Sequence, residues 1–409
     1  MKYRVLVGLL VLLGLGVLVS CSSSGSTTIA NPGVVGTGAV FVVTQGDDLI
    51  SPFLIDRAAG KVTANGNGVA TGSLPSAAIT TPAGDAVFVA NTNSNDISRY
   101  TIKTDGTLVA VTPNVTVGGT NPIAMAMDSA GKFLFVLNQG AFGAIDGGSV
   151  SVFSIGSNAG LTTVGTSGNL NSASALAVTP DGKFLYATDS QYSTIQGFSV
   201  DANGSLTLIT PPSHLSTNGL PGGIPIAHGT TPMGLLTTLD DAKNPSPNPI
   251  FLYVATVGTG QISVYEICDK PSLNCSNAGA DPGDLLELPN SPFAAGGEPG
   301  QMAMVSPAVV TPPAGTFLYA ADHKLNRILQ YSVSPVTGSL TPLSPPAVSA
   351  GSTPVWVGAR HDGQYVFATN NGSQSLSVYT ITDPKAGNLT NATTAVVATG
   401  SNPSAVVVP

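Results

Sequence analysis

Seven copies of one short apolar-aromatic pattern, spread along almost the whole chain, limit what this sequence can fold into. They read Ala39-Val-Phe-Val-Val-Thr44, Ala86-Val-Phe-Val-Ala-Asn91, Phe133-Leu-Phe-Val-Leu-Asn138, Phe184-Leu-Tyr-Ala-Thr-Asp189, Phe251-Leu-Tyr-Val-Ala-Thr256, Phe317-Leu-Tyr-Ala-Ala-Asp322 and Tyr365-Val-Phe-Ala-Thr-Asn370. Their last residues lie 47, 47, 51, 67, 66 and 48 positions apart. A period near that length marks an array of equal supersecondary units. Each core is followed by an aliphatic residue with an aromatic three positions on: Ile50/Phe53, Ile97/Tyr100, Val150/Phe153, Ile195/Phe198, Ile262/Tyr265, Ile328/Tyr331 and Leu376/Tyr379. Residues three apart on a strand point to opposite faces. Both faces therefore want burial, as in a sheet held between two neighbours. A glycine then recurs in Gly-x-Leu or a near variant, at Gly60, Gly106, Gly160, Gly204, Gly283, Gly338 and Gly387. Glycine there is expected to supply the positive φ of a tight turn.

Before most cores stands one more short strand, opened by proline, as in Pro75-Ser-Ala-Ala-Ile, Pro122-Ile-Ala-Met-Ala-Met and Pro354-Val-Trp-Val. Each repeat thus has four strands, A to D. The first repeat lacks its A strand, and the C-terminus supplies one as Asn402-Pro-Ser-Ala-Val-Val-Val408. The expectation is an all-β, seven-bladed β-propeller of four-stranded antiparallel blades over 37–409, its first blade closed by the C-terminal strand. Such closure removes open sheet edges that template aggregation. Composition agrees: 9% of residues are charged, and 48 Gly with 31 Pro interrupt any long helix.

The core Phe-Leu-Tyr-Val/Ala-x-Asn/Asp, preceded by Pro180-Asp-Gly-Lys183 in the fourth repeat, resembles the YVTN propeller repeats. With blades of about 50 residues, the chain is similar to the seven-bladed lactonase family, which includes 6-phosphogluconolactonase-like and carboxymuconate cyclase-like proteins. The resemblance covers roughly 37–409. It implies the fold directly and lactone chemistry by association. A single Trp excludes propellers with repeated Trp-Asp signatures, and no Cys-x-x-Cys-His exists to attach a haem.

Residues 1–20 read as an export signal, with Lys2 and Arg4 ahead of an apolar run from Val5 to Val19. Its end, Leu18-Val19-Ser20-Cys21, resembles the lipobox of bacterial lipoproteins, which implies cleavage before Cys21 and lipidation of it. Processing leaves 12 basic against 22 acidic residues. That balance, without a basic run, argues against nucleic acid as a partner. Ser22 in place of Asp favours the outer membrane of a bacterial envelope, and 21–36 reads as a flexible tether. In that oxidising setting Cys268 and Cys275, the two remaining cysteines, are expected to pair.

In a propeller the B–C loops and D–A links share one rim, where ligand sites gather. His228 and His323 fall there, as do Glu298, Asp189, Asn91, Asn138 and Asn370, whereas His361 falls in an A–B turn on the other rim. His214 lies in the long insertion between the fourth and fifth repeats. Lactone hydrolysis needs a base to activate water and a donor for the developing oxyanion. His228 or His323 with Glu298 could serve as catalytic groups, with Lys324 or Arg327 gripping an anion beside Asp322. Asn, Asp or Thr ends strand B in every repeat, so an architectural role at the turns competes with a ligand role. Trp356, the only Trp, sits on an innermost strand and either packs between blades or offers a ligand an apolar platform. The five Arg of the full sequence make a poor pocket for a sugar phosphate. No His-x-x-His, Cys cluster or Asp-rich loop suggests a metal, and no cofactor is expected. Asp47-Asp48 and Asp240-Asp241 read as solvated turns. Two functions follow: a surface-anchored binding or scaffold propeller contacting glycan, peptide or protein through its polar rim, or a lactone hydrolase acting on a small sugar lactone.

Overall fold

A computed structural model describes residues 37–141, 147–170, 172–209, 224–226, 229–238, 249–269, 275, 279–306, 315–360 and 362–409. The Cys21 site lies outside them, as do His214, His228 and His361. Seven antiparallel sheets form a ring, each running A-B-C-D outward from the axis. Blade 2, for instance, pairs Pro75–Thr80, Ala86–Asn91, Asp96–Ile102 and Leu108–Thr116 in that order. The D strand is split in blades 1, 4 and 5, where a second short segment pairs with strand C.

Blade 1 closes as its missing strand requires. Strand B, Thr37–Thr44, takes the C-terminal Pro403–Val407 on its inner side, with Phe41 opposite Val407 and Val43 opposite Ala405. All seven aliphatic/aromatic pairs of strand C are buried, none more than 5% exposed. One member of each pair faces the preceding blade and the other the following one, and the apolar clusters between blades form a continuous ring.

The recurrent glycine owes its identity to the neighbouring blade as much as to the turn. At Gly338 φ is 66°, and a Cβ built there would lie 2.5 Å from the Phe251 ring of the preceding blade. Gly204 stands in the same way 2.6 Å from Phe133. The carbonyl of the glycine is then reached by the tyrosine of the preceding core: Tyr186 Oη donates to Gly283 O (2.8 Å), Tyr253 to Gly338 O (3.0 Å) and Tyr319 to Gly387 O (2.6 Å). Blade 3 differs from the sequence expectation. Gly160 is not left-handed; Asn158 and Ala159 carry that conformation, each at φ 55°. Ala159 is tolerated because the aromatic that opens strand B is absent from the preceding blade, where Ala86 stands instead. A cavity of about 190 Å³, lined partly by Ala86 and Ala159, remains at that junction.

Cys268 and Cys275 form a disulfide with Cα atoms 5.7 Å apart, fastening the loop after strand C of blade 5. Blades 7 and 1 are further joined at the A–B/C–D rim, where Asp362 accepts from Arg57 (2.6 Å) and Arg360 (3.0 Å). Burial raises the Asp362 carboxyl, but the Arg360 charge, the Gln364 amide and Arg57 outweigh it, so its pKa lies below the ordinary carboxylate value. A depressed folded value contributes stability that is complete above about pH 5 and drains away as pH falls through that value. Asp362→Asn is expected to cost about 1 kcal/mol at neutral pH and to flatten the acid limb of the stability curve. Urea melts from pH 7 down to pH 3 check this; parallel curves for both proteins would disprove it.

Candidate functional site

Strand B of every blade ends in a polar residue beneath the rim that carries the B–C loops and D–A links. Thr44, Asn91, Asn138, Asp189, Thr256, Asp322 and Asn370 are all 3% exposed or less. Asn91 Nδ2 donates to Asp96 Oδ1 (2.6 Å) and Ser98 Oγ (2.9 Å), Asn138 Nδ2 to Ser151 Oγ (2.9 Å), and Asn370 Nδ2 to Ser377 Oγ (2.9 Å). Asp189 accepts the amides of Gln191 and Tyr192 in its own loop, at 2.9 and 3.0 Å. A glycine of the incoming link covers several of these side chains so closely that a Cβ would overlap them, as Gly119 does Asn138 and Gly351 does Asn370. These residues therefore tie strand B to strand C and to the link, and lie under it rather than at the surface.

The links follow a common path. At three junctions a left-handed residue of one blade's B–C loop accepts the amide just before the proline that opens the next blade. Asp48 accepts Leu74 N, Asn95 accepts Asn121 N and Asn326 accepts Thr353 N, each at 2.7 Å. Leu74, Asn121 and Thr353 are themselves left-handed, with φ of 57°, 55° and 53°. Asp48 is thus an inter-blade clamp, and Asp47 Oδ2 accepts Ser401 N (2.5 Å) at the ring closure, roles their short polar side chains fit.

The link into blade 6 departs from that path. The clamping position in blade 5 is Gly260, which has no side chain to accept with, and the left-handed residue of the link is Gly296. Glu298, just before Pro299, donates its amide instead to Asp322 Oδ1 of its own blade (3.0 Å). Its side chain stands out on the rim between two others: Oε2 is 2.8 Å from His323 Nε2 and Oε1 is 2.8 Å from Lys324 Nζ. Beneath them the fully buried Asp322 carboxylate also accepts Leu325 N (3.2 Å) and Arg327 Nε (2.7 Å). Arg327 in turn donates Nη2 to the Ala295 and Gly296 carbonyls, both at 3.2 Å, bracing the link. Glu298, His323, Lys324, Asp322 and Arg327 thus converge on one blade, while Trp356 stands half-buried on the inner strand of the next.

The hydrogen bond from Lys324 lowers the Glu298 carboxyl, helped by the Lys324 charge and His323 and opposed by partial desolvation. The same hydrogen bond and the Glu298 charge raise Lys324. An ionised carboxylate only accepts, so Nε2 of His323 carries the hydrogen it shares with Glu298. Chemically the cluster offers an oriented imidazole beside an ammonium group. Among the described residues no three His, Cys, Asp or Glu side chains gather as metal ligands. The clamp residues and the departure at Gly260 escaped sequence reasoning. Their signal was a Gly-x-x-Pro link paired with Asp or Asn in the preceding B–C loop, legible only once the blades are superposed.

A closed ring of seven four-stranded antiparallel blades defines a seven-bladed β-propeller. The family model described as lactonase, 7-bladed beta-propeller, matches residues 66–166 and 295–408, and the chain belongs to that family. Among solved structures it is similar to the periplasmic gluconolactonase of Pseudomonas aeruginosa, with 20% identity, a TM-score of 0.67, and coverage of 90% of this chain and 98% of that one. A Bacteroides fragilis protein provisionally described as a 6-phosphogluconolactonase gives 20% identity and a TM-score of 0.69, covering 94% of this chain and all of that one. A Lactobacillus plantarum protein aligns at 17% identity with a TM-score of 0.66, over 91% of this chain and 99% of that one. At those identities the likeness is one of fold. No curated protein matches the sequence significantly.

Proposed function

We propose that the chain is an exported, lipid-anchored propeller of the bacterial envelope that binds a small polar ligand at the blade 6 rim. The observation that carries this is the Glu298–His323–Lys324 cluster, in which one rim carboxylate holds an imidazole and an ammonium group at 2.8 Å each. In a chain with so few charges, that concentration on one blade suits recognition of a hydroxyl- and carboxylate-bearing molecule, including the sugar moieties of glycans. The lipobox-like Leu18-Val19-Ser20-Cys21 supports anchoring, and outer-membrane attachment follows from Ser22. A second reading, lactone hydrolysis, is favoured by the 2.8 Å contact of His323 with Glu298. There the imidazole Nδ1 would activate water and Lys324 would steady the developing charge.

Both readings meet one experiment on the chain lacking residues 1–21. Gluconolactone and gluconate are titrated calorimetrically, and lactone opening is followed by base uptake. Binding without turnover, reduced tenfold or more by His323→Ala, supports the binding protein. Turnover above the spontaneous rate, abolished by the same substitution, supports the hydrolase. Neither binding nor turnover with these probes or a glycan panel sinks both. Separately, Cys21→Ser is expected to abolish palmitate incorporation and to leave the precursor uncleaved, which labelling and mass spectrometry check.

A further inference from the structure

Three blade-to-blade clamps share one geometry, and at the link into blade 6, where the charged cluster forms, the clamping position has no side chain. We propose that Gly260 and Asp322 are positioning residues for the Glu298–His323 pair. Glycine at 260 frees the link from the inter-blade clamp, and Asp322 re-anchors it so that the Glu298 side chain reaches His323.

The structure carries this in three steps. Gly260 is left-handed, at φ 65°, like Asp48, Asn95 and Asn326 at 52°, 57° and 52°. Asn is the non-glycine residue that adopts this conformation most readily, so backbone strain does not demand glycine here. Space does: a Cβ at Gly260 would lie 2.5 Å from the Gly297 carbonyl oxygen, so any side chain must displace the link. Asp322 then receives Glu298 N, whose counterpart at three other junctions goes to the preceding blade; in blade 4 the Ser172 amide likewise reaches its own blade's Asp189, at 3.4 Å. A Cβ at Gly297 would overlap the Asp322 carboxylate, so the link lies directly upon it. Shape on one side and a buried acceptor on the other leave Glu298 a single approach. An exposed glutamate free to sample rotamers would hold His323 only part of the time; a fixed one holds it in one tautomer.

As geometry the proposal stands alone; as part of a ligand site it rests on the function proposed above. The test is Gly260→Asn. The asparagine restores the clamp seen at 48, 95 and 326, and its Cβ pushes the link outward. The expected result is a folded protein whose His323 ring nitrogen resonances match those of Glu298→Gln rather than wild type, with gluconate affinity at least tenfold weaker. Gly182→Asn serves as control, since φ there is 72° and a Cβ meets nothing nearer than 3.4 Å; it should leave His323 unchanged. A folded Gly260→Asn with wild-type His323 resonances overturns the proposal. Should that variant not fold, Asp322→Ala and Asp322→Asn decide. The first must shift the His323 resonances, and the second, which keeps an acceptor for Glu298 N, must largely restore them; equal behaviour of the two overturns it. Wild-type protein that binds no probe defeats the functional reading while the His323 resonances still judge the positioning.

Discussion

Removal of residues 402–409 is expected to destabilise the whole domain by about 5 kcal/mol or more, a sizeable part of what a domain of this kind has. The segment looks like a dispensable tail in the chain order but is an inner strand in space. Its loss strips strand B of blade 1 of its inner partner, leaving backbone groups near the axis unpaired at roughly 1 kcal/mol each. It also removes Ala405 and Val406, which are 0% and 1% exposed, from the clusters on either side of blade 1. A buried valine contributes about 2 kcal/mol. The Ser404 hydroxyl bond to Pro75 O (2.9 Å) and the Gln45 amide bond to Asn402 O (3.0 Å) disappear as well. With the ring open, blades 7 and 1 keep only what remains of their shared apolar cluster, the Arg57–Asp362 ion pair and the Tyr365 bond to Arg57 O. Thermal melts of the two chains side by side give the answer. A truncated protein melting within a few degrees of the full one would mean that the ring closes by other contacts.

That closure was readable from the sequence because both halves of the signal are local. A strand without its opening partner stands at one end, and an orphan of matching pattern at the other. The seven strand C pairs were readable for the same reason, since alternation within one strand reports which faces are buried. What failed to show was every feature settled between blades. The left-handed turn of blade 3 falls on Ala159, two residues before Leu161 as Gly106 is before Leu108, and Ala86, more than seventy residues earlier, leaves room for its Cβ where other blades set a ring. The polar ends of strand B looked like candidate ligand groups in Asn91, Asn138 and Asn370. Their partners are serines of strand C and their covers are link glycines, facts that need the blades in place. Glu298 and His323 were drawn together by rim position alone. The reason they meet is the missing side chain at Gly260, in the preceding blade, which no reading of their own repeat contains.

Replacing Trp356 by alanine is expected to lower stability by about 3 kcal/mol, near the bottom of the range for truncating a large aromatic. The positions matched to it by counting from the opening proline are Ala77, Ala124, Gly234, Gln301 and Ala405, mostly small, as converging inner strands require. The indole uses the room they leave. It is half-buried, pairs in register with Thr369, and packs against both the cluster between blades 7 and 1 and the cluster between blades 1 and 2. A residue touching two junctions is a wedge, and its removal loosens both sides of blade 1. The cost stays below that of a fully buried ring because part of the indole already meets water at the channel. Trp356→Phe should recover most of the loss, leaving about 1 kcal/mol. Calorimetry on the three proteins is the measurement, with a fall of about 5 °C or more expected for the alanine variant. A melting point that barely moves, together with loss of gluconate or lactone binding, would instead make the indole a stacking platform reached from the channel.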